Sequence, residues 1–168
     1  LSRLDNKRTQ WKVETFDLCR SVSRLIEVMR VDIEAREHTV TFVADEACPQ
    51  ITADKERIEQ VIVNILSNSV KYTPVGGKID VSVHASEEKV SFCVKDNGIG
   101  IPEEDQGRIF ERFYRVEKSR TSEMGGTGLG LAIARELIEA HGGTIHIDSR
   151  LGEGTAVTVT LPIVCNPA

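Results

Sequence analysis

Three short stretches carry residue types suited to a phosphate-bearing ligand and a hard cation. Asp96 closes the run Val90-Ser91-Phe92-Cys93-Val94-Lys95-Asp96, in which 90, 92 and 94 share one strand face. At a period of two, Asp96 falls on that same apolar face. A carboxylate there is costly unless a donor meets it, and the exocyclic amine of adenine is such a donor. Gly98 and Gly100 follow within Asn97-Gly98-Ile99-Gly100 and permit a sharp turn with close backbone approach. By itself Asp-Asn-Gly also reads as a strand ending in an Asx-type turn. Asn64 and Asn68 are one helical turn apart, so their oxygens can converge on a cation that keeps most of its waters. Lys71 extends that face and can neutralise phosphate. Gly126-Thr127-Gly128-Leu129-Gly130 opens a helical stretch, where unpaired amides and the positive dipole end favour an anion.

Each stretch has a plainer reading. The Asn pair and Lys71 suit a solvated helix surface. The glycine segment lacks GxGxxG spacing and follows a long irregular stretch, which disfavours a dinucleotide fingerprint; no GxxxxGK[ST] occurs, which excludes a P-loop. Occurrence together, in this order, is what favours a magnesium nucleotide.

The elements that must position these residues follow from periodicity. Trp11, Val13 and Thr15 alternate as a short strand, and Asp17 can cap a helix with apolar positions Leu18, Val22, Leu25, Ile26, Met29 and Ile33. Val40 and Phe42, joined by His38, share the next strand face, and Ile51 lies in a short extended piece. Asp54 can cap a second helix with core stripe Ile58, Val61, Ile62, Ile65, Leu66 and Ser69. On a helical wheel Arg57, Gln60, Asn64, Asn68 and Lys71 form a separate polar arc. Tyr72-Thr73-Pro74 ends that helix. A hairpin follows, with Ile79, Val81 and Val83 on one strand and the strand into Asp96 on the other. Residues 98–126 are rich in Gly and charge, with a short helical piece near Glu103–Phe113, and read as a mobile loop or lid. A third helix runs from about Thr127 to Ala140 and is apolar over most of its circumference. Ile145 and Ile147, then Val157, Val159 and Leu161, make two last strands. One face of each strand is apolar, so all long helices are expected on one side. The fold class is therefore an α/β two-layer sandwich with a mixed, largely antiparallel sheet.

Composition narrows the function. The 168 residues carry a net charge of −5, which disfavours general nucleic-acid binding; the local exception is the basic cluster Arg108, Arg112, Arg115, Lys118 and Arg120. No apolar run approaches the roughly 20 residues of a membrane span, and no signal-peptide pattern opens the chain. Cys19, Cys48, Cys93 and Cys165 lack CxxC spacing, so neither a zinc site nor a disulfide framework is expected. Cys19 and Cys93 are read as small packing residues in a reducing compartment.

With these residues in view, the chain resembles bacterial sensor histidine kinases. NILSNSVKYTP (64–74), DNGIGIP (96–102), IFERFYR (109–115) and GGTGLGLAIA (125–134) are similar to their N, G1, F and G2 boxes. The resemblance spans about 11–162 and implies the catalytic ATP-binding domain with the Bergerat (GHKL) fold, shared more distantly with gyrase B, Hsp90 and MutL. It implies ATP and magnesium as ligands. Asn68 is then the magnesium ligand with Asn64 in support, Lys71 and Arg115 reach the terminal phosphates, and Tyr72 lies beside the nucleotide. Asp96 holds adenine, flanked by Gly98, Ile99, Gly100 and Ile101, and Gly126, Thr127, Gly128, Leu129 and Gly130 form the anion-binding helix start. Residues 98–126 become the ATP lid, anchored by Phe110 and Phe113. Residues 1–10 resemble the tail of a preceding dimerisation helix, which places the start of the chain partway through a longer protein, and 163–168 form a C-terminal tail.

One departure matters. The kinases transfer phosphate to a His that is usually followed by Glu or Asp, on a separate dimerisation helix. Here the pairs are His38-Thr39, His84-Ala85, His141-Gly142 and His146-Ile147. The expected enzyme is thus the ATP half of a protein-histidine kinase, monomeric and cytoplasmic, as the inner part of a membrane-bound sensor without membrane contact of its own. Its expected partners are the dimerisation domain of the same kinase and, through the full kinase, a response regulator. The alternatives are another GHKL ATPase, an anti-sigma serine kinase, or a nucleotide-binding regulatory module without activity.

Overall fold

Strand alternation and helical stripes together dictate where the core lies. A computed structural model describes residues 10–45, 48–111 and 130–168. In chain order the elements are β1 (Val13–Asp17), α1 (Leu18–Val28), α2 (Arg30–Ala35), β2 (Thr39–Ala44), β3 (Gln50–Asp54), α3 (Lys55–Tyr72), β4 (Lys78–Ala85), β5 (Lys89–Asp96), α4 (Glu103–Gln106), α5 (Gly130–Ala140), β6 (Thr144–Arg150) and β7 (Gly154–Pro162). Five strands form one sheet in the order β2-β4-β5-β7-β6, and only β2 and β4 run parallel. β1 and β3 pair antiparallel as a separate ribbon.

Ile79, Val81 and Val83 of β4, Val90, Phe92 and Val94 of β5, and Val157, Val159 and Leu161 of β7 turn to one side and are buried. The stripes of α1, α3 and α5 close over them in one cluster, which is the expected two-layer α/β sandwich. Each fully buried side chain of this kind contributes roughly 1.5–3 kcal/mol. Asp17 and Asp54 cap α1 and α3 as their positions suggest, accepting from the Arg20 and Arg57 amides.

Several expectations are corrected. In β1 the inward residue is Phe16, whereas Val13 and Thr15 are exposed; the ribbon's contribution to the core comes from Phe16 together with Ile51 and Ala53 of β3. The first helix breaks at Met29, although Met29 and Ile33 stay buried. Cys19 is disulfide-bonded to Cys48, so it is not a simple packing residue. The pairing has no local spacing signature, because it arises where the first turn of α1 meets the strand into β3; there the Leu18 amide donates to the Pro49 carbonyl at 3.4 Å. Cys93 lies half-buried on the sheet face away from the core and accepts from the Thr158 hydroxyl at 3.5 Å. At the start of the expected lid, Ile99 donates to the Tyr72 carbonyl (3.2 Å), its own carbonyl accepts from Gly152 (2.7 Å), and Ile101 donates to Ser149 Oγ (2.9 Å). Residues 112–126, the remainder of the expected lid, lie outside the described residues, as do 1–9. The last residues pack back on the fold, since the Thr52 amide donates to Ile163 and the Cys165 amide to Thr52, both at 2.8 Å. Burial pushes the Cys165 thiol up to about 11.

Asp54 ties the N-terminal segment, α3 and α5 together. Its carboxylate accepts from the Lys12 and Arg57 amides at 3.1 and 3.2 Å, and its own amide donates to His141 Nε2 at 3.2 Å. The other ring nitrogen of His141 therefore carries the proton, donated to the Leu137 carbonyl at 2.8 Å. Trp11 stands edge-on over this ring, 5.3 Å between centroids, with the Arg57 guanidinium 4.9 Å from its own ring.

Burial holds the His141 pKa below its ordinary value. Between that lowered value and the unfolded pKa of about 6.5 the unfolded state binds more protons. Stability should therefore be complete above about pH 6.5 and decline as pH falls below it. Urea unfolding of His141→Gln should show a lower stability at pH 8, by about 1–2 kcal/mol for the altered buried hydrogen bonds, and a shallower loss between pH 7 and 5.5. An identical pH slope in both proteins would remove His141 from the account.

Candidate functional site

α3 presents two faces because its apolar and polar residues follow different arcs. Ile58, Val61, Ile62, Ile65 and Leu66 are buried; Asn64 and Asn68 are half-buried and Lys71 is exposed. Ser69, on the apolar stripe, is also buried, and its hydroxyl lies near Asp96 at the end of β5, where it favours the charged form of that group. The last two turns of α3 thus lie beside the β5 terminus. The Tyr72 carbonyl, accepting from Ile99, extends the contact into the following loop.

Asp96 is 8% exposed. Its Oδ1 accepts from the Gly98 amide at 2.9 Å and the Thr155 amide at 3.3 Å. Desolvation raises its pKa above the ordinary carboxylate value, and the hydrogen bonds from Gly98, Ser69 and Thr155 partly oppose that rise. Glycine at 98 is required by the protein itself: a Cβ would collide with the Tyr72 carbonyl and lie 2.8 Å from Asp96 Oδ1. At Gly100 a φ of +74° and the Arg150 carbonyl impose the same choice. The close approach expected at these glycines is therefore an approach of the chain to itself. Asn97 takes the other direction, accepting from the Lys78 amide at 2.8 Å and locking the loop to β4.

Asn64 links this region to α5, donating from Nδ2 to the Gly130 carbonyl at 3.3 Å. With its NH2 so used, the amide oxygen is left as the acceptor. Asn64, Asn68, Ser69, Lys71, Tyr72, Asp96, Gly98, Ile99, Gly100, Ile101 and Gly130 thus belong to one connected neighbourhood, built from α3, the β5 end, the loop after it and the start of α5. Arg115, Gly126, Thr127, Gly128 and Leu129, with Phe113, Arg112, Lys118 and Arg120, lie outside the described residues. Phe110 is half-buried, with the Arg135 guanidinium 5.3 Å from its ring. Among the described residues, His, Cys, Asp and Glu atoms gather at metal-ligand spacing at Asp17, Cys19 and Cys48, where both sulfurs are committed to the disulfide. The hard-cation donors of the α3 face are amide oxygens.

Sequence reasoning missed two partners of Asp96. Ser69 was assigned to the core; its polarity on an otherwise apolar stripe is the signal of a second role. Thr155 contributes a backbone amide from β7, next to Gly154, whose φ of +118° and contact with the Asp96 carbonyl exclude a side chain. Nothing local in the sequence links positions 59 residues apart.

Known proteins are similar to this chain in sequence and fold. A family model described as histidine kinase-, DNA gyrase B- and HSP90-like ATPase matches residues 53–164. Sensor histidine kinase WalK of Bacillus subtilis (strain 168) is 43% identical over 164 residues, covering 96% of this chain and 27% of the relative. The chain therefore spans about a quarter of that relative's length. Among solved structures, the catalytic domain of histidine kinase ThkA superposes with a TM-score of 0.80 at 28% identity, covering 91% of this chain and 99% of that one. ThkA has also been solved in complex with response regulator protein TrrA, with a TM-score of 0.76 at 27% identity, over 90% of this chain and 42% of that one. Full-length ShkA in complex with AMPPNP gives 0.84 at 28% identity, covering 99% of this chain and 34% of that one. A buried acid at a strand end, a helix with an amide face beside it, and these likenesses lead to one assignment: the chain belongs to the histidine kinase-, DNA gyrase B- and HSP90-like ATPase family, as a catalytic ATP-binding domain of the sensor histidine kinase type.

Proposed function

We propose that this domain binds Mg-ATP and donates the γ-phosphoryl group to a histidine on a separate dimerisation domain of the same kinase, which then serves a response regulator. The observation that carries the reading is the buried Asp96. A carboxylate offers about four lone-pair sites. The Gly98 and Thr155 amides both donate to Oδ1, which leaves acceptor capacity on Oδ2 for the amine of adenine.

The remaining roles follow from position. Asn68 is assigned as the magnesium ligand with Asn64 in support, both on the half-buried polar arc of α3. Magnesium, when bound, supplies charge neutralisation at the terminal phosphates. Lys71, exposed one turn beyond Asn68, reaches those phosphates, joined by Arg115; Tyr72 lies beside the nucleotide. Gly126, Thr127, Gly128, Leu129 and Gly130 are assigned to anion binding, and 98–126 to the ATP lid. The chain's contribution to catalysis is positioning and charge neutralisation. Within this reading residues 1–10 lead from the dimerisation helix, 11–162 are the catalytic domain, and the domain is monomeric, cytoplasmic and without nucleic-acid contact.

The chain's own histidines are poor acceptors. His141 is 1% exposed with both ring nitrogens bonded, and His38 faces the Thr73 and Pro74 carbonyls. His84 sits 3.0 Å from Asp45, and neither it nor His146 is followed by an acid. Hydrolysis is disfavoured as well. In ATP-hydrolysing relatives a Glu one turn before the magnesium Asn activates water, and here that position is Asn64, which cannot act as a base.

Three outcomes are expected. Asp96→Asn should lose one charge-assisted hydrogen bond to adenine, about 1.5–3 kcal/mol, or about tenfold to a hundredfold in affinity. The same variant should unfold at an equal or higher temperature without nucleotide. The raised carboxyl pKa means that this group's contribution is lost as pH climbs from about 3.8 through the folded value, so the charge burdens the fold at neutral pH. Unchanged affinity by calorimetric titration would refute the adenine role. Asn68→Ala should weaken the magnesium-dependent part of ATP binding while circular dichroism stays native, since Asn68 lies off the buried stripe; full magnesium dependence in this variant moves the ligand role to Asn64. Finally, the purified chain should neither turn over ATP quickly nor label its own histidines. Added dimerisation domain should become phosphorylated on histidine, weakly, because the covalent tether is missing. Robust turnover by the chain alone favours the ATPase alternative.

A further inference from the structure

Asn68, Lys71 and Tyr72 occupy the last turns of α3, and a helix end leaves its final carbonyls without intrahelical partners. Pro74 prevents the chain from supplying them by continuing the helix. The partners come from elsewhere. Arg36 Nη2 donates to the Thr73 carbonyl at 2.9 Å and to the Lys71 carbonyl at 3.4 Å. His38 Nε2 donates to the Thr73 carbonyl at 2.9 Å and to that of Pro74 at 3.1 Å. The backbone repeats the attachment, since Gly76 donates to Arg36 and Gly77 accepts from Thr39, at 2.9 and 3.0 Å.

This clamp is made at a cost. Glu37, between the two side chains, has a φ of +56°, a left-handed conformation that costs a non-glycine residue stability. Arg36 Nε, His38 Nδ1 and Thr73 Oγ1 are buried without a hydrogen-bond partner among the described residues. A glycine cap would end a helix more cheaply. Arg36 also places positive charge at the negative end of the helix dipole, next to the turn that carries Lys71.

We propose that Arg36 and His38 are positioning residues for the phosphate side of the nucleotide site: they fix the final turn of α3 so that Lys71 and Tyr72 are held in register with Asn68. The inference rests on the function proposed above. It weighs more on the phosphate end than on the Asp96 end: Gly98 and Thr155, not this clamp, donate to Asp96 Oδ1, and the clamped turn reaches that end only through the Tyr72 carbonyl and an electrostatic interaction of His38 with Asp96.

The test is calorimetric titration of the wild-type chain, Arg36→Met, His38→Phe, Arg36→Lys and His38→Gln with Mg-ATP and with adenosine, together with amide exchange over 71–77. Arg36→Met and His38→Phe should weaken Mg-ATP by about tenfold while adenosine changes by less than about twofold, with faster exchange confined to that segment. His38→Gln, which keeps a donor, should recover most of the Mg-ATP affinity. Arg36→Lys, which keeps charge without the fork, should fall between and shows the same split if the Met variant does not fold. Equal losses for Mg-ATP and adenosine, or Mg-ATP binding unaltered in all four variants, would overturn the inference and leave the proposed function standing. A wild-type chain that binds no Mg-ATP overturns both.

Discussion

A single carboxylate below the surface draws together the parts of this domain around the end of β5. Asp96 sits where β5 ends, and the polar groups around it belong to different parts of the chain: the Ser69 hydroxyl to α3, the Gly98 amide to the loop, the Thr155 amide to β7. Holding that charge therefore fixes three elements relative to one another. Burial of this group disfavours its charged form, which the nearby donors partly offset.

The sheet and helices were legible because their periods are clean. Ile79, Val81 and Val83, and the stripe Ile58 to Leu66, admit only one face each, and the caps at Asp17 and Asp54 precede them at the expected positions. Asp96 was legible for the same reason, as a charge on an apolar strand face. β1 was misread because Trp11, Val13 and Thr15 alternate, whereas the residue that β1 buries is Phe16, on the opposite face. The Cys19–Cys48 bond was invisible because its two ends meet through tertiary packing. The roles of Gly98 and Gly100 were half legible: the need for a small residue could be read, but not that carbonyls of Tyr72 and Arg150 impose it.

The polar groups that sequence reasoning overlooked share one property. Arg36, His38, Ser69 and Thr155 act on backbone or carboxylate partners more than 25 residues away. None has a motif of its own. A reading by motif alone thus singles out Asn64, Asn68, Lys71 and Asp96 and leaves out the groups that the tertiary structure sets behind them.

The lone parallel strand pair has a bearing on how the domain assembles. β4 pairs with β5, and β6 with β7, through short turns, and such hairpins close within microseconds. β2 can join β4 only across a connection that contains β3 and all of α3, and loop-closure entropy delays contacts of such separation. α3 is therefore the crossover of the fold as well as the carrier of Asn64, Asn68 and Lys71. Its seat against the sheet therefore bears on both the parallel edge pair and the placement of that polar face.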